Sequence, residues 1–412
     1  MANQKPVEWV TSLLSRFEEQ LPYRSGPQTS QTRVNVEQIK ETLIQISKTK
    51  FSLVISGLTK TLHTVNEMFI SQRSQIHSPI QPEFERNFYE SQLLLLDTLE
   101  KCLSIQPKET TRYDETMNVK ALLKEICHFI ESSNDNIMAA QLKVLASKVL
   151  FSLSLNNFNA VFSRISARLQ ELSNTSEENM DFIDIELIQY INVDINRLLK
   201  LLLEINLKFR SLKKNAHYIL LNNVEKAIWN WIETYPQEFM EYQCRPNEEL
   251  SDCCDKLFEH LDLYAENNNK RKNYVWPLQI LLLLLCPKVL EEIVNADSGA
   301  PFSSRHQRKR NFIENVKKSL VPHSSSKQLT ESAAITCVKL CKASTYINIL
   351  DSNNVIFTLV QSVINELKLL LFNTKPLIRS PTNLYNDVEL MIECFVSIFR
   401  ITPHNNEALK VC

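Results

Sequence analysis

In "NNVIFTLVQSVINELKLLLF", residues 353–372, the apolar positions Val355, Ile356, Leu359, Val360, Val363, Ile364, Leu367, Leu370 and Leu371 recur at i, i+3, i+4 and i+7. That spacing gathers them on one face of a 3.6-residue helix and predicts an amphipathic α-helix. The same pattern returns between polar breaks over roughly 36–70, 84–105, 115–131, 136–155, 157–172, 182–210, 214–234, 247–266, 276–295, 308–320, 328–343 and 385–400. No segment sustains the period-two alternation of a half-buried strand, so the chain is expected to be all-α. Near the N terminus Val10, Leu13, Leu14, Phe17 and Leu21 share one helical face, with Pro6 placed for a first turn and Pro22 for a stop. Such a stripe must dock on something.

The stripes do not keep a strict 3.5-residue spacing, which argues against a long coiled coil. Helices joined by short polar turns over the whole length predict a HEAT/armadillo-like α-solenoid of paired antiparallel helices. Two helical bundles divided at the polar region 296–327 are the other arrangement. Under the solenoid reading, residues 1–33 form the N-terminal amphipathic helix and a polar linker and 34–295 the first part of the arm. Residues 296–327 form a polar basic loop region and 328–412 the continuation of the arm. The closing "RITPHNNEALKVC" ends one helix and begins another, so the arm is expected to be truncated there.

The most apolar run, "YVWPLQILLLLLCPKVL" at 274–290, raises the question of a membrane anchor. Only Leu278 to Cys286 lie between its prolines, about 14 Å of helix against the ~30 Å of a bilayer core. Leucine without β-branched neighbours disfavours a strand. The run is therefore expected to be a helix starting at Pro277, ending before Pro287 and covered on every side.

Composition narrows the chemistry. Glycine occurs three times in 412 residues, at Gly26, Gly57 and Gly299, where average usage would supply about 29. Glycine-rich phosphate loops and the GxSxG nucleophile elbow are thereby excluded. Ten scattered cysteines resemble reduced core thiols more than a disulfide framework, and the opening segment carries Glu8, Arg16, Glu18 and Glu19 inside its apolar pattern, unlike a signal peptide. A cytoplasmic location follows, with any membrane contact at most peripheral.

The net charge of -1 leaves only local patches to consider. The strongest is basic: Lys270 to Lys272, then Arg305, Arg308, Lys309, Arg310, Lys317 and Lys318. It is a candidate surface for an acidic protein, an anionic lipid or an import receptor, and so leaves nuclear import open. Without interleaved aromatics for base stacking, nucleic acid is not expected. Trp229 and Trp231 fall on different helix faces, which makes Trp229 a candidate contact residue. Cys337 and Cys341 share a face at i, i+4, but no second ligand pair completes a zinc site. Adjacent Cys127 and His128 point about 100° apart on a helix and make a poor catalytic pair. No catalytic residue, metal or cofactor is expected.

Several runs are distinctive: "KPVEWV", "SRFEEQLP", "KFSLVISGL", "SQLLLLDTLEKCL", "VLFSLSLNNFNAVFSRISARLQEL", "DIELIQYINVD", "VWPLQILLLLLCP", "KQLTESAAITCVKLCKASTYIN" and "FRITPHNN". Together, from position 5 to 406, they resemble the N-terminal region of the neurofibromins, large Ras GTPase-activating proteins. The resemblance implies a segment of a HEAT-like helical arm that contacts the rest of its own polypeptide and a second protomer in a homodimer. It also implies that the catalytic domain, which acts on Ras with an arginine finger, lies outside this chain. Neither "KFRSL" at Lys208 to Leu212 nor "FRITP" at Phe399 to Pro403 carries the FLR-containing signature of Ras activators, so no arginine finger is assigned. A stand-alone helical adaptor working through residues 305–318 is the competing expectation.

Overall fold

A computed structural model describes residues 4–26, 29–75, 82–105, 115–131, 137–174, 183–295, 303–321, 326–347, 355–372 and 388–401. Of these residues 91% are helical and none is in a strand. The chain separates into two compact units, one comprising residues 1–168 and 181–192, the other 169–180 and 193–412.

The first unit holds α1 (Gln4–Glu19), α2 (Pro22–Ser25), α3 (Ser30–Ser47), α4 (Phe51–Gln75), α5 (Pro82–Ser104), α6 (Glu115–Glu131), most of α7 (Ile137–Asn174) and α8 (Ile183–Glu186). Its centre is α4, which packs against α1, α3, α5 and α6. The N-terminal stripe docks here, with Val10, Leu13, Leu14, Phe17 and Leu21 all buried. Gly57 permits the approach, since a Cβ at that position would stand 2.3 Å from Leu14 Cδ1. Pro22 ends α1 but also opens α2, where its missing N–H costs nothing.

The pattern expected over 36–70 is two helices, broken at Lys48–Lys50, where the apolar period runs on without marking the turn. Conversely, 136–155 and 157–172 join into α7, which bends at Asn157 (φ -123°, ψ 31°) near the expected break. Among the described residues α7 is the one helix long and apolar enough to cross a membrane. Twelve of its apolar side chains, from Ala139 to Leu172 and including Leu142, Val149, Phe158 and Ile165, are buried.

The second unit holds α9 (Ile195–Lys208), α10 (Lys214–Thr234), α11 (Pro236–Cys244), α12 (Glu248–Ala265), α13 (Asn269–Leu284), α14 (Pro287–Asn295), α15 (Ser304–Leu320), α16 (Lys327–Ser344), α17 (Val355–Phe372) and α18 (Val388–Ile401). Starts are set by capping side chains: Asp194, Asn247, Asn268 and Ser303 each accept a hydrogen bond from the backbone N–H three residues on. The leucine run is the hub, since α13 packs against α10, α12, α14 and α16. Val275 to Cys286 are all buried, as expected for a helix apolar all round.

Its boundaries differ from expectation. Asn268 caps α13, which begins eight residues before Pro277, so the proline lies inside the helix and leaves the Asn273 carbonyl without its usual donor. The C-terminal end is held by α11: Tyr242 Oη donates to the Leu285 carbonyl at 2.7 Å and Gln243 Nε2 to that of Leu284 at 3.1 Å. Within the polar basic region 296–327, the helical pattern expected over 308–320 forms α15, 17 residues that begin earlier, at Ser304. Residues 296–302 and 322–325, the flanks of that segment, lie outside the described residues, as does the end of the chain from 402.

Candidate functional site

Asp255, Glu259 and Asp262 stand at i, i+4 and i+7 on α12, a spacing that lines three carboxylates along one face. On α15, Arg305, Arg308 and Lys309 stand at i, i+3 and i+4 and meet that face. Arg305 Nη2 lies 2.6 Å from Asp255 Oδ2 and its Nε 2.8 Å from Glu259 Oε1. Arg308 Nη1 lies 3.2 Å from Asp262 Oδ2. Lys309 is fully buried, pairs with Asp255 and sits 5.1 Å over the Phe258 ring.

The candidate basic surface of Arg305, Arg308, Lys309, Arg310, Lys317 and Lys318 is thus partly engaged within the chain. Three of the six cations are matched to the acidic face of α12, and Lys317 is paired with Glu314 at 3.4 Å. Arg310 and Lys318 also have interactions of their own. The carboxylates that pair with Arg305 and Arg308 lie 46 residues earlier in the chain.

Beside the ion pairs a cleft of about 320 Å³ opens between α12, α13 and α15. Buried Trp276 and Phe312 form its apolar wall, their rings edge to face at 6.0 Å. Asp262, Glu266, Lys272 and Arg308 supply two charges of each sign. Burial raises the Asp262 carboxyl above its ordinary value, Glu266 adds to the rise, and the hydrogen bond from Arg308 opposes it. Lys272 Nζ lies 5.8 Å from the centre of the Trp276 ring. The cleft has room for a small polar group.

Trp229, the candidate contact residue, is buried. Its ring lies beneath Lys342 and Lys339 of α16, whose ammonium groups stand 4.6 and 5.7 Å from the centroid and pair with Glu233 and Glu225. Trp231 is buried as well, its indole N–H donating to Glu238 at 2.6 Å.

A polar cluster in the first unit escaped the sequence reading. Buried Glu125 on α6 accepts from His63 Nδ1 at 2.9 Å and from Asn66 Nδ2 at 2.8 Å, and Gln92 Nε2 donates to Asn66 Oδ1 at 2.9 Å. The i, i+3 spacing of His63 and Asn66 on α4 was the available signal. Their carboxylate lies 59 residues beyond Asn66. The arrangement orients an imidazole, and the chain of contacts ends on an amide, not on a hydroxyl or thiol.

Of the nine described cysteines, all but the exposed Cys244 are buried. Burial pushes Cys102 up to about 11 and Cys286 to about 12, and raises Cys253 and Cys254. Cys337 is raised by its hydrogen bond with Cys341 and by burial. Thiols held protonated are poor nucleophiles. Cys127 is buried while its neighbour His128 is exposed, so the two face apart. Among the described residues no three His, Cys, Asp or Glu side chains are grouped to hold a metal ion. Compared with models of known protein families, the chain matches none.

Proposed function

We propose that this chain is a helical scaffold segment, similar to the N-terminal arm of the neurofibromins, within a negative regulator of Ras signalling. On this reading the helices pair in HEAT-like fashion, and the arm serves contacts with the rest of the same polypeptide and with a second protomer. GTP hydrolysis by Ras is stimulated by a domain outside residues 1–412. One observation carries the proposal: the groups most suited to chemistry or to an external partner are committed to holding helix against helix. Lys309, Arg305 and Arg308 fasten α15 to α12, and Trp229 lies under the lysines of α16. The same pairing weighs against a stand-alone adaptor working through residues 305–318.

The test is a Ras GTPase assay with the chain alone and with the chain added to the catalytic region of a neurofibromin. The chain alone leaves the intrinsic rate of Ras unchanged. It also co-purifies with the remaining neurofibromin polypeptide when the two are co-expressed. Stimulation by the isolated chain, or failure to associate with that polypeptide, overturns the reading.

A further inference from the structure

Three helices each bring an i, i+4 pair to the cleft beside the α12–α15 ion pairs: Asp262 and Glu266 from α12, Lys272 and Trp276 from α13, Arg308 and Phe312 from α15. Their charges are not engaged alike. Arg308 is held by Asp262, at 3.2 Å. Lys272 Nζ has one hydrogen bond, to Asn269 Oδ1 at 3.3 Å, and neither Lys272 nor Glu266 has an ion-pair partner among the described residues. The cleft therefore keeps one open charge of each sign, on two different helices, beside the rings of Trp276 and Phe312. Close to Asp262 lies Gln279, fully buried, with neither amide atom in a hydrogen bond. Such buried polarity costs stability that an apolar side chain there would not.

Open charges of both signs narrow the occupant. An anion alone satisfies Lys272 and is repelled by Glu266; a cation alone does the reverse; a neutral molecule matches neither. We propose that the cleft binds a zwitterionic α-amino acid, its carboxylate on Lys272, its ammonium on Glu266 and an apolar side chain against Trp276 and Phe312. At about 320 Å³ the cleft stands at the lower end of small-molecule sites, roughly 300–1,000 Å³, room for one amino acid. Glu266 is exposed and the ligand has only about a dozen non-hydrogen atoms, so the dissociation constant is on the order of 0.1–1 mM.

The inference stands on the cleft alone and does not depend on the Ras-related reading. Isothermal titration calorimetry of the intact chain with L-phenylalanine up to about 10 mM tests it, with far-UV circular dichroism confirming that each variant is folded. N-acetyl-L-phenylalanine, which lacks the ammonium, and L-phenylalaninamide, which lacks the carboxylate, each bind at least about tenfold more weakly. Lys272→Met and Glu266→Gln, at positions outside the core, each weaken L-phenylalanine at least about threefold. The two variants also separate the charges. Lys272→Met removes the preference for L-phenylalanine over its amide, and Glu266→Gln removes the preference over its N-acetyl derivative. Absence of binding at about 10 mM, equal affinity for all three compounds, or preferences that survive in both variants overturns the proposal.

Discussion

At the scale of single residues the least forgiving position is Lys309. Its ammonium has no water to return to, and Asp255 is its counter-charge at the same depth. Removing one partner of a buried pair leaves the other uncompensated, so Lys309→Ala is expected to cost about 3–5 kcal/mol in urea unfolding. Replacing both by apolar residues, as in Lys309→Met with Asp255→Leu, should cost far less. Equal losses in the single and double variants would show that packing, not charge, dominates. Gly57 poses the opposite problem, with too little room in place of too little solvent. Ala there gains about 1 kcal/mol of helix propensity but drives its methyl group into Leu14, an overpacking of about 1–3 kcal/mol. Gly57→Ala should destabilise the chain by about 1 kcal/mol, and the penalty should vanish when Leu14 is already Ala.

His217 makes a further residue-scale prediction, in pH. Its Nε2–H donates to the Phe209 carbonyl at 2.8 Å, and its ring packs on Phe209 and Tyr264. Burial lowers its pKa below the ordinary 6.5, the Phe209 hydrogen bond opposes that, and Arg271 adds to it. The folded state therefore binds fewer protons than the unfolded chain, and stability present above about 6.5 is lost as pH falls toward the folded value. His260, also lowered by burial, acts in the same direction. Unfolding free energy should drop between about pH 7 and 5, and less steeply in His217→Phe. A parallel slope in that variant would assign the dependence elsewhere. Asp97, held down by Lys40 and Lys101 against the effect of burial, acts only near and below its ordinary 3.8 and leaves that window clear.

Among the elements α13 shows what periodicity can and cannot reveal. Burial of the leucine run was legible because a helix with no polar face has no side to present to water. Leu282→Ala should accordingly cost about 2–5 kcal/mol, measured by thermal or urea unfolding. The start was not legible, because Pro277 suggests a first turn whereas Asn268 supplies the cap. Nor was α11, whose "PQEFMEYQC" buries only Phe239 and Tyr242 and so shows little stripe. Yet that helix closes the end of α13 through Tyr242. Tyr242→Phe keeps the ring and strands the Leu285 carbonyl, so it should lose about 1–3 kcal/mol despite its conservative appearance. For the basic residues of α15 the helical phase was visible. Their partners were not, since Glu259 and Asp262 lie on another element whose packing no local pattern encodes.

For the molecule as a whole, a net charge of -1 says nothing of how its charges are paired, and pairing decides what a local cluster can attract. Each Lys or Arg free near an anionic bilayer contributes about 1 kcal/mol to binding. With Arg305 and Arg308 held by α12 carboxylates, the run from 305 to 318 has little attraction left to offer. Vesicles containing phosphatidylserine should therefore retain almost none of the chain at physiological salt. Releasing the cations should change this: Glu259→Gln with Asp262→Asn removes two counter-charges while preserving shape, and should raise partitioning roughly tenfold, an increase that disappears at about 0.5 M salt. If the unmodified chain binds instead, and neutralising Arg308 and Arg310 abolishes it, the ion pairs seen between α12 and α15 are not what governs the outer surface. Lys309 should stay out of that comparison, since its replacement tests folding before it tests binding.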